Sequence, residues 1–167
     1  MNTIRIFIPF VLLCLTLVGC SSVVDDNEVT ERVHVGDHVP LFTVETVTPT
    51  KEGPVTGTFS TSQLTGETVI VFFNTWCPDC QRELPLLNEY YLEHRNDKGF
   101  QMVAIGREES YETVSAFWQQ MGLQIPYSAQ ADRHVYDLFA SNIVPRIYFV
   151  SPQGIVTRID VEQYVVK

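Results

Sequence analysis

The chain predicts an α/β domain built on a mixed sheet with helices on both faces, and three observations carry that prediction. Residues 69–73 (VIVFF) are an unbroken apolar run without alternation, the pattern of a strand covered on both sides. Helical periodicity follows: Leu84, Leu87 and Tyr91 recur at helical spacing, and Val114, Phe117, Trp118 and Met121 fall at i, i+3, i+4 and i+7. Two apolar segments, residues 147–150 and 155–159, flank Ser151-Pro152-Gln153-Gly154. Proline second and glycine fourth fit a type I turn, so these segments predict a hairpin. Strand, helix, strand, added helices and hairpin in that order describe a sheet with parallel and antiparallel parts.

Each element has its own signal. Residues 39–42 with Val44 and Val47 suggest a first strand as an N-terminal extension, residues 49–57 a loop, and residues 58–64 a short segment. The helix after the buried strand begins near Pro78, because proline suits the first helical turn, and runs to about Arg95 before Lys98-Gly99, with Pro85 bending it. Residues 101–106 supply the next strand. Ser110 is a good N-cap and Gly122 a good stop for the amphipathic helix between them. A second short helix is expected from Asp132, carrying Val135, Leu138 and Phe139 on one face. After Ile159 little apolar sequence remains, so a closing helix is expected to be short or absent.

The N-terminus points to export. Residues 1–5 are a short basic lead and residues 6–18 are nearly all apolar, which predicts a signal peptide over residues 1–19. The apolar run is shorter than the roughly 20 residues of a spanning helix, and Pro9 interrupts it. Leu17-Val18-Gly19-Cys20 resembles the lipobox of bacterial lipoproteins, which implies cleavage before Cys20 and lipid attachment to its sulfur. Residues 20–32 are polar, acidic and aperiodic, as expected of a flexible tether, leaving residues 33–167 as the domain. The chain carries a formal net charge of −9, and loss of Arg5 with the signal takes it to about −10. Such a surface argues against nucleic acid and against direct adsorption to anionic headgroups, so membrane attachment would come from the lipid. With Cys14 removed and Cys20 acylated, Cys77 and Cys80 are the free thiols, and no stabilising disulfide framework is expected.

Residues 74–85 read N-T-W-C-P-D-C-Q-R-E-L-P where the buried strand hands over to the helix. A thiolate is the nucleophile in disulfide exchange, and a helix N-terminus favours negative charge. The two-residue gap lets Cys77 attack a substrate disulfide while Cys80, just under one turn later, resolves the mixed disulfide. The redox centre is then the Cys77–Cys80 pair itself, with no organic cofactor. Asp79 puts a carboxylate between the sulfurs, which disfavours a charged dithiol form and points to a reductant. C-x-x-C can also be half a zinc site, but no second C-x-x-C supplies the remaining ligands, His34 and His38 flank Gly36 in an entry loop, and no metal is assigned. A static disulfide over so small a loop would contribute only about 2 kcal/mol.

With W-C-x-x-C after a buried strand and Pro145 before a late strand, the chain resembles the thioredoxin fold. The Val35-Gly36-Asp37-x-Val39-Pro40-x-Phe42 entry, the F-F-N-T-W-C-P-D-C-x-x-E-x-P core, residues 107–142 and the lipobox together resemble the TlpA/ResA-type membrane-tethered thiol-disulfide oxidoreductases, over residues 33–160. The resemblance implies that Cys77 attacks, Cys80 resolves, Trp76 packs beside the pair with Pro78 and Asp79 between the thiols, and Glu83 handles protons. It implies that Pro145 is a cis-proline facing the thiols and that Val144 offers backbone groups to an incoming peptide. The expected function is an extracytoplasmic, lipid-anchored reductase of disulfides in exported proteins, apocytochrome c among them, fed by an upstream membrane electron donor. Two alternatives share the framework. A copper-handling module of the Sco type uses three residues between its cysteines and a histidine close to the late strands, whereas the gap here is two and no histidine falls within residues 143–159. A thiol peroxidase places threonine three positions before the reactive cysteine, where Asn74 stands.

Overall fold

A computed structural model describes residues 31–164; the signal peptide, Cys20 and most of the tether lie outside the described residues. The elements are β1 (Thr43–Thr48), β2 (Val55–Ser60), β3 (Thr68–Phe73), α1 (Pro78–His94), β4 (Gln101–Arg107), α2 (Tyr111–Met121), β5 (Tyr127–Gln130), β6 (Arg146–Val150) and β7 (Val156–Val161). They form a seven-stranded sheet in the order β2-β1-β5-β4-β3-β6-β7. β3 lies parallel to β4 on one side and antiparallel to β6 on the other. β4 and β5 are parallel, while β1 meets β5 antiparallel at the single pair Val47 and Tyr127. This is a thioredoxin-like fold with an N-terminal strand extension.

Every residue of β3 is buried, as its unbroken apolar run requires. Because successive side chains point to opposite faces, Phe72 and Phe73 enter different layers. Phe73 packs on Trp118 of α2 with ring centroids 4.9 Å apart, and on the same face Tyr90 of α1 meets Phe149 of β6 at 6.2 Å. Phe72 packs on Tyr136, Phe139 and Tyr148. Both α-helices therefore share one face, and among the described residues the other carries the 3-10 turn at Tyr136–Leu138 in place of an α-helix. Full burial of each such ring contributes about 1.5–3 kcal/mol.

The α2 caps match their sequence signals: the Ser110 hydroxyl accepts from the Thr113 N–H, and Gly122 takes the left-handed conformation at φ +65. The hairpin of β6 and β7 forms as expected, with Gly154 at φ +76 and its N–H donating to the Ser151 carbonyl. Three expectations need correction. The helix from Asp132 is only the 3-10 turn Tyr136–Leu138, because the short run of residues 131–141 between β5 and the proline loop does not recover the cost of helix nucleation. The loop expected over residues 49–57 ends sooner: residues 49–54 are loop and turn, and β2 begins at Val55 and pairs in full register with β1, an exposed edge too polar to show apolar alternation. The domain also reaches back into the expected tether, since Glu31 bridges to Ala140 and the Arg32 N–H donates to the Phe139 carbonyl. No helix follows β7, and none is long and apolar enough to cross a membrane, among the described residues.

Candidate active site

Parallel strands end on the same edge of a sheet, so the C-terminal ends of β3 and β4 converge, and antiparallel β6 begins beside them. Cys77 is the N-cap of α1, with extended backbone (φ −78, ψ 119), and Pro78 takes the following position, where a backbone N–H would have no helical partner. The four-residue step from Phe73 to Cys77 is fastened on both sides. The Asn74 side-chain amide donates to the Arg107 carbonyl at 2.6 Å and its oxygen accepts from Arg107 Nε at 3.0 Å. The Thr75 N–H donates to both oxygens of the buried Glu109 carboxylate at 2.9 and 3.1 Å, and Gln81 Nε2 donates to the Thr75 carbonyl.

Cys77 and Cys80 are both free thiols, and their sulfurs interact. Cys77 is 9 % exposed and its Sγ donates to the Val144 carbonyl at 3.4 Å; Cys80, one turn along, is fully buried. Burial pushes the Cys80 thiol far above the ordinary thiol range, opposed in part by a backbone hydrogen bond at Asn74. The outer sulfur is thus the accessible one, and the inner sulfur stays protonated until a base takes its proton. Glu83 lies three residues beyond Cys80 on the same helix face, 2 % exposed. Its Oε1 accepts from Arg82 Nε at 2.8 Å and its Oε2 from the Tyr164 N–H at 3.0 Å. Asp79 is half-buried and pairs with Arg82 at 2.9 Å, so the guanidinium offsets the negative charge that the sequence placed unopposed between the sulfurs.

The opposite wall is the loop before β6. The Val144–Pro145 peptide is cis, and Val144 presents its carbonyl to Cys77. Ile143 is held at φ +67, an unfavourable conformation for a β-branched residue that the surroundings must enforce. The Tyr136 hydroxyl lies 2.7 Å from the Ile143 carbonyl, Arg146 Nε donates to the Asn142 carbonyl at 3.1 Å, and Arg146 Nη1 pairs with Glu31 at 2.7 Å. The Arg107 guanidinium stacks over the Tyr136 ring at 4.4 Å, connecting this wall to Asn74.

Cys77, Cys80, Pro78, Asp79, Val144 and Pro145 therefore meet at one edge of the sheet, with Glu83 below. Trp76 does not pack into the protein: it is 69 % exposed, leaving its indole at the surface next to Cys77. Sequence reasoning missed Glu109, Arg107, Tyr136, Arg146 and Glu31. Glu109 could have been found, because residues just after β4 must lie beside residues just after β3. On the copper alternative, His38 does meet the late strands by bridging to Ile155, but Ile155 follows the turn after β6, at the end of the sheet away from Cys77. On the peroxidase alternative, Asn74 spends both ends of its amide on Arg107.

Residues 35–159 match the AhpC/TSA family. Among curated relatives, the thiol-disulfide oxidoreductase ResA of Oceanobacillus iheyensis is 30% identical over 135 residues, covering 80% of this chain and 67% of the relative. ResA of Bacillus subtilis is 27% identical over 130 residues, covering 77% and 68%. A solution structure of a putative protein disulfide isomerase from Bacteroides thetaiotaomicron is 20% identical, with a TM-score of 0.72, covering 82% of this chain and 84% of that one, and shows the likeness of fold. The reactive pair at the head of α1, facing the cis-proline loop, thus sits in a chain that belongs to the AhpC/TSA family and is a thiol-disulfide oxidoreductase of the ResA type.

Proposed function

We propose that the protein is a lipid-anchored reductase that works outside the cytoplasmic membrane on disulfides of exported proteins. The observation that carries the redox part is the asymmetry of the pair: Cys77 lies at the helix head against the Val144 carbonyl, and Cys80 is buried and held protonated beneath it. A peptide disulfide laid along the Val144 backbone meets Cys77 first. Cys77 attacks it, and one substrate sulfur leaves as a thiol. Glu83 takes the Cys80 proton, Cys80 attacks Cys77 Sγ, and the second substrate sulfur leaves. The direction follows from Cys80: a dithiol whose inner sulfur stays protonated gains no stability from a charged form, which favours giving up electrons. Regeneration then calls for a membrane electron donor, and apocytochrome c is one candidate substrate.

The anchor part is supported by the sequence of residues 1–20 and by the acidic, polar run that follows. Cys20→Ser should move the protein from the membrane to the soluble fraction with its disulfide-reducing activity intact, since stable anchoring requires acyl chains. A variant that stays on washed membranes refutes the lipid anchor. Trapping tests the substrate class: Cys80→Ser should accumulate mixed disulfides with exported proteins, identified by mass spectrometry. Failure to trap any such species under conditions where Cys77 alkylates normally refutes the reading.

A further inference from the structure

The residues just after β7 touch both walls of the site. The Glu162 backbone turns at φ +62 and its N–H donates to the carbonyl of Pro145 at 2.9 Å. Two residues on, the Tyr164 N–H donates to Glu83 Oε2 at 3.0 Å. The Tyr164 ring is buried, stacked on Phe149 of β6 with centroids 6.4 Å apart and 22° between planes, and edge-on to Tyr90 of α1 at 5.8 Å. The segment is thereby anchored on the two elements whose near ends carry Glu83 and the proline turn.

We propose that residues 162–164 form a latch that orients the Glu83 carboxylate for the proton transfer resolving the mixed disulfide, with Tyr164 as the positioning residue. The proposal rests on the role given to Glu83 above. In that step the Cys80 S–H breaks and its proton goes to the carboxylate. The Cys80–Cys77 bond forms as the bond from Cys77 to the substrate sulfur breaks, and the departing thiolate takes a proton from Glu83 or solvent. The pair loses two electrons and the substrate disulfide gains them.

A buried carboxylate with a free terminal torsion aims its oxygens wherever its partners hold them. Among the described residues Arg82 and Tyr164 hold Glu83. Arg82 is 59 % exposed at its side chain and divides itself between Glu83 and Asp79, so its grip is that of a solvated ion pair. The Tyr164 N–H is a backbone donor in a buried setting, fixed by the aromatic anchoring of its own ring, and is the steadier of the two. One N–H fills one of about four acceptor positions on a carboxylate, leaving room for a thiol donor on the Cys80 side.

The test separates attack from resolution. The reduced protein is mixed with a model peptide disulfide, quenched at intervals with an alkylating agent, and resolved into dithiol, mixed disulfide and disulfide forms. Tyr164→Ala removes the ring anchor and Tyr164→Pro removes the ring and the N–H together; each should slow resolution ~10-fold or more, as part of the roughly 10²–10⁴ available to a positioned acid-base group, and leave mixed-disulfide formation within about twofold of wild type. Tyr164→Phe should behave as wild type. In a Glu83→Gln background Tyr164→Ala should add nothing, because both changes remove the same function. Equal slowing of both steps, or full additivity with Glu83→Gln, overturns the latch and leaves Tyr164 a packing residue. Wild-type resolution in Glu83→Gln alone shows that the Glu83 role has failed, and the latch falls with it. If the alanine variant does not fold, Tyr164→Leu, which keeps apolar bulk but not the stacked ring, carries the same comparisons.

Discussion

The helix wall of the site, residues 74–83, takes its geometry from one stretch of chain, whereas the proline wall, residues 142–146, is held by Glu31, Tyr136 and, through Tyr136, Arg107. On the helix wall the causes are local: a strand ends, a proline opens the helix, and three-residue spacing puts Cys77, Cys80 and Glu83 on successive turns. On the proline wall the loop whose Val144 carbonyl faces Cys77 is braced at its Asn142 carbonyl by a buried arginine, whose carboxylate partner is more than a hundred residues away in sequence. The first wall supplies the reacting atoms and the second decides how they are met by a substrate. A site can thus be chemically complete in one segment and geometrically dependent on several others.

The comparison can be broken most sharply on the helix wall. Cys77→Ser should bring reduction of a model disulfide such as insulin to background, because Cys80 is too buried to meet a substrate. Substantial residual turnover would mean that another group is the nucleophile. The proline wall is probed by Glu31→Gln, which leaves Arg146, itself fully buried, without its carboxylate. Breaking a buried pair costs about 3–5 kcal/mol; Glu31 is 32 % exposed at its side chain, so a loss of roughly 1–3 kcal/mol is expected, read as a lower urea midpoint with unchanged slope. An unmoved midpoint would show that the wall stands without its distant anchor. The smallest effect belongs to Asp79→Asn. Its charge is already met by Arg82, so the redox potential measured in a thiol buffer should shift by less than about 30 mV, the equivalent of 1.4 kcal/mol. A larger shift would restore Asp79 as an unopposed charge between the sulfurs.

The legible parts of the protein are those in which neighbours in sequence are also neighbours in energy. β3, the caps of α2, the hairpin turn and the Cys-Pro-Asp-Cys helix head were all readable, because burial on both faces, capping and turn chemistry act within a few residues. β2 was hidden because its exposed residues, with glycine in the middle, carry no alternation and owe their extended form to pairing with β1. The single 3-10 turn in place of a helix was hidden because its extent is decided by the chain it must leave for the proline loop. Trp76 was misjudged for a related reason: its position next to Cys77 is local, but whether anything covers the indole depends on the shape of the folded surface.

The amino-acid order alone determined the reactive chemistry: two thiols one helical turn apart, a carboxylate a further turn on, and a proline placed to open a helix, all of which depend only on bond geometry and helical pitch. Tertiary structure alone decided which sulfur is reachable, what neutralises Asp79, and what holds the Val144 carbonyl and the Glu83 carboxylate in place. The physical reason is range. Burial, ion pairing and buried hydrogen bonds are set by atoms that arrive from Glu31, Arg107, Tyr136 and Tyr164, and no local pattern in residues 74–85 records where those atoms will be.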